Sequence, residues 1–291
     1  MARRREESEG GGPIGKLPEG CISHVLSLTT PPDSCRSALV SAAFRSAANS
    51  DALWERFLPS DYESILSRAV DPVKYSSKKE LYFRLCDSIL VDGGTMSFGL
   101  ERSTGRKCYM ISPRSMNITW SNTPQYWRWI SLPESRFAEV AELLAVCWLF
   151  MSGKIDCRLL SPKTTYAAYL VFKLASRSYG LGPPRQLASV KLGDYALETD
   201  ICLQDDEDSD DDDGDDDDDD DGNDHHQEEA QQRQQQRQQP LRDDGWMEIE
   251  LGEFYNDEGD DGDVEMSLAE VNALHWKSGL IIQGLEVRPK I

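Results

Sequence analysis

The spacing of apolar residues changes from helical to alternating at about residue 105, so one chain of 291 residues has to hold two architectures. Before the change, Ile22, Val25 and Leu26 stand at i, i+3 and i+4, the spacing of one buried helical stripe, and Pro31-Pro32 ends the segment. Asp33 is placed to cap a second helix, in which Cys35, Ala38, Leu39 and Ala42 share one face while Val40 and Phe44 lie on another. Apolar side chains spread that widely imply two packing partners. Asn49-Ser50 opens a third short helix with Leu53, Trp54, Phe57 and Leu58 before Pro59. Ser77-Lys78-Lys79-Glu80 is a capping box for a fourth, carrying Leu81, Phe83, Leu85 and Cys86.

After the change the period is two. Tyr166, Ala168, Leu170, Phe172 and Leu174 form one apolar face, with Lys173 on the other. Met247, Ile249 and Leu251 alternate with Trp246, Glu248 and Glu250, and Val264, Met266 and Leu268 alternate with Asp263, Glu265 and Ser267. Half-buried strands separated by Gly, Pro and Asp turns, with no long helix between them, predict an antiparallel sandwich or jelly roll rather than a parallel sheet. The expected fold class is multidomain: a small all-α module followed by an antiparallel β-sandwich, jelly-roll-like in its connections.

Residues 205–229 hold 18 acids and no Lys or Arg. Like charges repel and nothing apolar is there to bury, so an insert over 204–242, with its Gln-rich stretch, is expected to be disordered. It interrupts the sandwich, whose later strands must complete the sheets begun before it, an arrangement that the slow growth of loop-closure entropy tolerates. Removing those 18 acids from the net charge of −21 leaves −3. A near-neutral folded part lacks the basic surface that neutralises phosphates, so no nucleic-acid partner is expected. The longest apolar run, Leu143 to Met151, is far short of the roughly 20 residues that cross a bilayer, and no membrane partner is expected either. Residues 1–16 read as a disordered Gly-rich leader without the apolar core of a secretory signal, and Asn117-Ile118-Thr119 is then a chance match to the glycosylation pattern. Seven cysteines without a C-x-x-C pair read as reduced thiols.

Catalysis finds little support. The four histidines are His24, His225, His226 and His275, two of them inside the insert, and no G-x-S-x-G, H-E-x-x-H, P-loop or G-x-G-x-x-G accompanies them. The acids lack the spacing of an EF-hand loop. The chain is expected to be no enzyme and to carry no cofactor and no metal.

Residues 17–60, LPEGCISHVLSLTTPPDSCRSALVSAAFRSAANSDALWERFLPS, resemble an F-box in its plant form. The leading Leu17-Pro18-Glu19, the Pro-Pro-Asp turn and the Trp54…Phe57-Leu58-Pro59 ending carry the likeness. A module of about 45 residues is too small to hide so many apolar side chains by itself, and an exposed apolar patch beside small Ala and Ser residues suits a helical partner. The resemblance implies a Skp-type adaptor and, through it, the cullin/RING core of a ubiquitin ligase. It makes Leu17, Pro18, Ile22, Leu39, Val40 and Trp54 candidates for the adaptor surface. Residues 61–104 read as a linker containing the fourth helix.

Trp120, Tyr126, Trp127 and Trp129 fall within ten residues, in ITWSNTPQYWRW. Alternate strand positions face opposite ways, so the four rings cannot all enter one core. At least one is expected to be exposed, as a flat apolar plate on which a pyranose can stack. From about Lys107 to Pro289 the sequence resembles the phloem-lectin domain, the family of the tobacco lectin Nictaba, through ITW, NTPQYWRW, SRFAEVAELLAVCWLF, TTYAAYLVFKLA, DGWMEIELGEF and GDVEMSLAEVNALHWKSGLIIQGLEVRP. That resemblance places a lectin-like sandwich over 105–291 and implies binding of N-acetylglucosamine oligomers and N-glycan cores. The implied carbohydrate-binding residues are Trp120, Trp127, Asp263 and Glu270. Asp263 stands where the tobacco lectin has a Glu, one methylene longer, and the acid tract replaces its lysine-rich nuclear signal. Gly99 follows Ser97-Phe98 where related plant proteins often carry an aromatic, which implies looser packing between the modules.

Together the two resemblances imply a substrate receptor of an SCF-type ligase. The sandwich would hold a glycoprotein client, in the cytoplasm or, secondarily, the nucleus, while other subunits transfer ubiquitin. A lectin-like interaction module that recruits unglycosylated clients is the alternative. A holder of basic proteins acting through the acid tract is a third reading, with binding that salt would screen.

Overall fold

The computed structural model describes residues 17–204, 241–259 and 262–290. The expected leader, the acidic and Gln-rich tract, and His225 and His226 within it lie outside these residues. The chain divides into two units, 1–109 and 110–291.

In the first unit α1 (Glu19–Leu26) starts at Pro18, whose carbonyl accepts from the N–H groups of Cys21 and Ile22. Its covered stripe runs through Ile22, Ser23 and Leu26, and the hydroxyl of Ser23 faces the carbonyl of Ala47 at 3.4 Å. Val25, expected on that stripe, is exposed, since among the described residues the covered side of α1 is the one that carries Ile22, Ser23 and Leu26. Thr30, not Asp33, caps α2 (Pro31–Ser37): its hydroxyl accepts from the Asp33 N–H and donates to the Asp33 carboxylate at 2.7 Å. Asp33 thus sits in the first turn, as the reciprocal half of the cap. The single helix expected from Asp33 to Phe44 is broken, because Ser41 caps a new helix, α3 (Ala42–Ala48), by accepting from the Phe44 N–H. The turn between α2 and α3 carries Leu39 and Val40 to the surface.

Helix α4 (Asp51–Phe57) follows Ser50 as expected, although the Ser50 side chain makes no capping hydrogen bond. It is succeeded by α5 (Tyr62–Ser67), which buries only Tyr62 and Ile65 and so leaves too short a pattern to detect in the sequence. Ser77 caps α6 (Lys78–Cys86) by accepting from the Glu80 N–H, while the Glu80 carboxylate bonds to Ser76. Strands β1 (Ile89–Val91) and β2 (Met96–Leu100) form an antiparallel pair. At Gly99 in β2 a Cβ would lie 2.7 Å from the Ser88 hydroxyl, so the missing side chain permits a close approach within this unit. Strand β3 (Lys107–Ile111) contains the division between the units.

The second unit comprises β4 (Asn117–Ile118), β5 (Trp127–Ile130), β6 (Val140–Leu143), β7 (Leu149–Asp156), β8 (Thr164–Tyr179), β9 (Gln186–Leu192), β10 (Tyr195–Ile201), β11 (Met247–Asn256), β12 (Asp263–Glu270) and β13 (Ser278–Pro289). They form two antiparallel sheets, one running β11–β8–β13–β6–β5 and the other β10–β9–β12–β7–β4. Strand β12 lies between β7 and β9, and β13 between β8 and β6. Segments on either side of the acidic tract therefore share both sheets. The alternation in β12 is as expected, with Val264, Met266 and Leu268 buried.

Two expectations about β11 change. A bulge between Glu250 and Gly252 reverses the strand's phase, so that Phe254 and Asn256 are buried beyond it. Trp246, expected among the outward residues, is fully buried and donates its indole N–H to the Glu134 carbonyl at 3.2 Å. The turn at Gly245, with φ +77°, takes it out of the strand's alternation. Strand β8 is also buried on its second face, where Ala167 and Val171 lie. On that face Glu286 and Arg288 of β13 pair with Tyr169 and Ala167, and Glu248 of β11 pairs with Val171. Arg242, placed within the insert by the sequence reading, is half-buried here and bonds Glu248 at 2.9 Å and also Glu286, which Arg136 reaches at 3.0 Å. Burial pushes the Glu286 carboxyl up, but Arg136, Arg242 and Arg288 outweigh it and hold the group below the usual range.

Candidate functional site

In the helical unit the six candidates for adaptor contact separate by burial. Leu39 is 80% exposed and Val40 69%, and Leu17 and Pro18 are exposed as well. Ile22 and Trp54 are inside. Trp54 donates its indole N–H to the Ala48 carbonyl at 2.8 Å and packs against Phe57, Tyr82 and Phe83, with ring centroids 5.2–5.5 Å apart. Its size suits an interface anchor, but α6 covers it within its own unit. Exposed Val25 and Leu28 join the apolar set on α1 and its following turn. Leu28 could have been found, since it stands alone among Ser27, Thr29 and Thr30 after the helix ends.

The aromatic cluster of the sandwich is built around Trp120. Beyond β4, the Thr119 N–H donates to the Phe150 carbonyl at 3.1 Å, and Trp120 then takes φ +61°, a left-handed conformation that is costly for a bulky residue. Two neighbouring indoles hold that conformation. Trp127 and Trp129, on one side of β5, donate to the carbonyls of Thr119 and Ser121 at 3.0 and 3.1 Å, one on each side of Trp120. The Arg114 guanidinium covers Trp129 at 3.6 Å. Trp120 itself remains 42% exposed, against Tyr126 and edge-on to Trp148, which is 48% exposed.

These rings open onto a cleft of about 580 Å³ lined by Thr119, Trp120, Trp148, Phe150, Ala269 and Val271. Phe150 and Ala269 are paired in the β7–β12 register and form its floor, while the next pair, Leu149 and Glu270, is buried. Glu270 is therefore beneath the cleft. It pairs with the fully buried Lys277 and accepts from the Ala273 N–H at 2.9 Å. Burial pushes its carboxyl up, but the Lys277 ammonium and the Ala273 N–H outweigh that and keep it ionised below the usual range.

Of the four implied carbohydrate-binding residues, only Trp120 lines the cleft. Trp127 is 3% exposed and Glu270 is buried. Asp263 is exposed, but seven positions along β12 from Glu270 is about 23 Å at the rise of an extended strand, so it stands at the far end. Trp148, Phe150 and Val271 were missed. Parity would have found the first two, because in the run Leu143–Met151 the buried Leu149 and Met151 leave Trp148 and Phe150 on the outward phase. The cleft offers indole faces to a C–H-rich surface, and Thr119 is the polar side chain in its lining. Among the described residues no group of His, Cys, Asp and Glu could hold a metal ion, and no helix is long and apolar enough to cross a membrane.

A family model for phloem protein 2 matches residues 106–289, more than half of the chain. This chain belongs to the phloem protein 2 family. An F-box-like model matches residues 14–60, so the phloem protein 2 domain is joined to an F-box-like module. Close relatives come from Arabidopsis thaliana. The chain is 43% identical over 283 residues to F-box protein At2g02240, covering 97% of this chain and 82% of that one. It is 45% identical over 298 residues to Putative F-box protein PP2-B2, with coverage of 99% and 89%, and 42% identical over 295 residues to F-box protein PP2-B10, with coverage of 99% and 98%. The likeness spans both modules.

Proposed function

We propose that this phloem protein 2 chain is a substrate-recognition subunit of an SCF-type cullin-RING ubiquitin ligase. The F-box-like module docks on a Skp-type adaptor through exposed Leu17, Pro18, Leu39 and Val40, with Val25 and Leu28 beside them. The sandwich holds a glycoprotein client by stacking a GlcNAc-containing glycan on Trp120 and Trp148, and other subunits transfer ubiquitin. The observation that carries this reading is the pairing of an apolar surface, exposed among the described residues, on an F-box-like module with exposed indoles on a second domain. Leucine and valine side chains at this exposure gain by burial against a helical partner, and an indole face gains by covering the C–H face of a sugar.

One observation favours the second reading, a client without sugar. Among the described residues the cleft lining holds Thr119 and no carboxylate, so these residues have little to offer sugar hydroxyls. Adaptor pull-down combined with a glycan array on the folded chain separates the readings. Capture of both adaptor and GlcNAc oligomers supports the first. Adaptor capture with a silent array leaves the second, and no adaptor capture overturns the receptor assignment.

A further inference from the structure

Lys277 is fully buried, and two of its partners, Cys147 and Glu270, directly precede residues that line the cleft. Its ammonium pairs with Glu270 and donates to the carbonyls of Cys147 at 3.1 Å and His275 at 2.8 Å. Its backbone exchanges hydrogen bonds with Val146, at 2.7 and 3.0 Å. Glu270 in turn fastens the loop after β12 through the Ala273 N–H. Cys147 precedes Trp148, and Glu270 precedes Val271, so each of these two cleft walls is one residue from an atom that the pair holds.

We propose that Glu270 and Lys277 are a positioning pair that sets the separation of Trp148 and Val271, and thereby the width of ligand the cleft admits. The inference rests on the cleft being the client site, and it gives Glu270 a role without contact with the client. The chemistry of the site requires a lysine. An ammonium has three donors, and here a carboxylate and two carbonyls from irregular backbone take them, whereas an apolar replacement would strand both carbonyls. Among the described residues Glu270 neutralises Lys277 while also accepting from the loop, so the pair links the segment before β7 to the segment after β12.

The test compares the full chain with Lys277→Met, Glu270→Gln and the double substitution. Each carries 5-fluorotryptophan, and the Trp148 resonance is assigned through Trp148→Phe. Below the thermal transition the expected result is a displaced or broadened Trp148 resonance, with that of the buried Trp246 unmoved. With chitotriose as the probe, affinity falls about tenfold, the scale of one mispositioned contact. The double substitution leaves no uncompensated buried charge, so it keeps the test decisive if Lys277→Met does not fold. An unmoved Trp148 resonance in a folded variant overturns the proposal, because a lysine that merely stabilises would lower the thermal transition and leave the ring in place. If the unsubstituted chain does not bind chitotriose while the Trp148 resonance still moves, the positioning pair stands and the saccharide reading falls.

Discussion

Trp127 donates its indole N–H to the Thr119 carbonyl at 3.0 Å, one residue before the exposed Trp120. A buried ring therefore holds an exposed one in its left-handed conformation. Trp127→Phe keeps most of the ring volume and strands the carbonyl, which should cost about 1–3 kcal/mol of unfolding free energy. Denaturant unfolding measures this, and glycan-column retention should fall with it as Trp120 loosens. Trp120→Ala should reduce retention while leaving the chain folded, as thermal unfolding checks. Full retention by the Trp120 variant would remove the proposed plate.

Leu39→Asp combined with Val40→Asp places charge on an exposed turn, so the thermal transition should stay in place while adaptor pull-down is lost. Trp54→Ala should behave differently. It empties a site enclosed by Phe57, Tyr82 and Phe83, at a cost of about 3–5 kcal/mol, and adaptor capture should fail only as the unit unfolds. Equal adaptor capture by the double aspartate variant and the unsubstituted chain would refute the docking surface.

Acid should weaken the sandwich through Glu286. Its folded-state carboxyl is held below the ordinary value of 4.5 despite burial, so its contribution to stability is complete above 4.5 and is lost as pH falls through the lower folded value. Glu286→Gln, which leaves Arg136, Arg242 and Arg288 without their shared carboxylate, should be less stable than the unsubstituted chain near neutrality. The gap should close as pH drops below 4.5. Urea midpoints across this range provide the check, and a gap that does not depend on pH would show that the carboxylate charge is immaterial.

The acidic tract should be dispensable for folding. The chain on either side is anchored without it, Gln204 donating its N–H to the Leu181 carbonyl at 3.2 Å and Arg242 bonding Glu248 at 2.9 Å. Replacing residues 205–240 by a short Gly-Ser linker removes charge repulsion, so the thermal transition should be unchanged, or slightly higher at low salt. A large fall would mean that the tract packs on the sandwich.

What was legible in the sequence follows how far apart the interacting residues lie. The β12 alternation, the Ser77 cap and the position of the short α4 are set by neighbours a few positions away, and these stand as read. The parity of Asp263 and Glu270 was also on the page: an odd separation puts them on opposite faces of one strand, and the structure has Asp263 exposed and Glu270 buried. The resemblance implies one site for both, whereas strand geometry separates them.

The sequence by itself determined the two architectures, the order of helical module and sandwich, and the presence of more large rings near Trp120 than a core can hold. Only the tertiary structure decided which rings are exposed and which apolar side chains lack a partner. Trp54 is covered by α6, more than twenty residues later, and the carboxylate of Glu270 is taken by Lys277. Hydrophobic periodicity records which face of an element turns inward. It carries no record of which distant element arrives to cover that face, and burial at a binding surface is decided by that arrival.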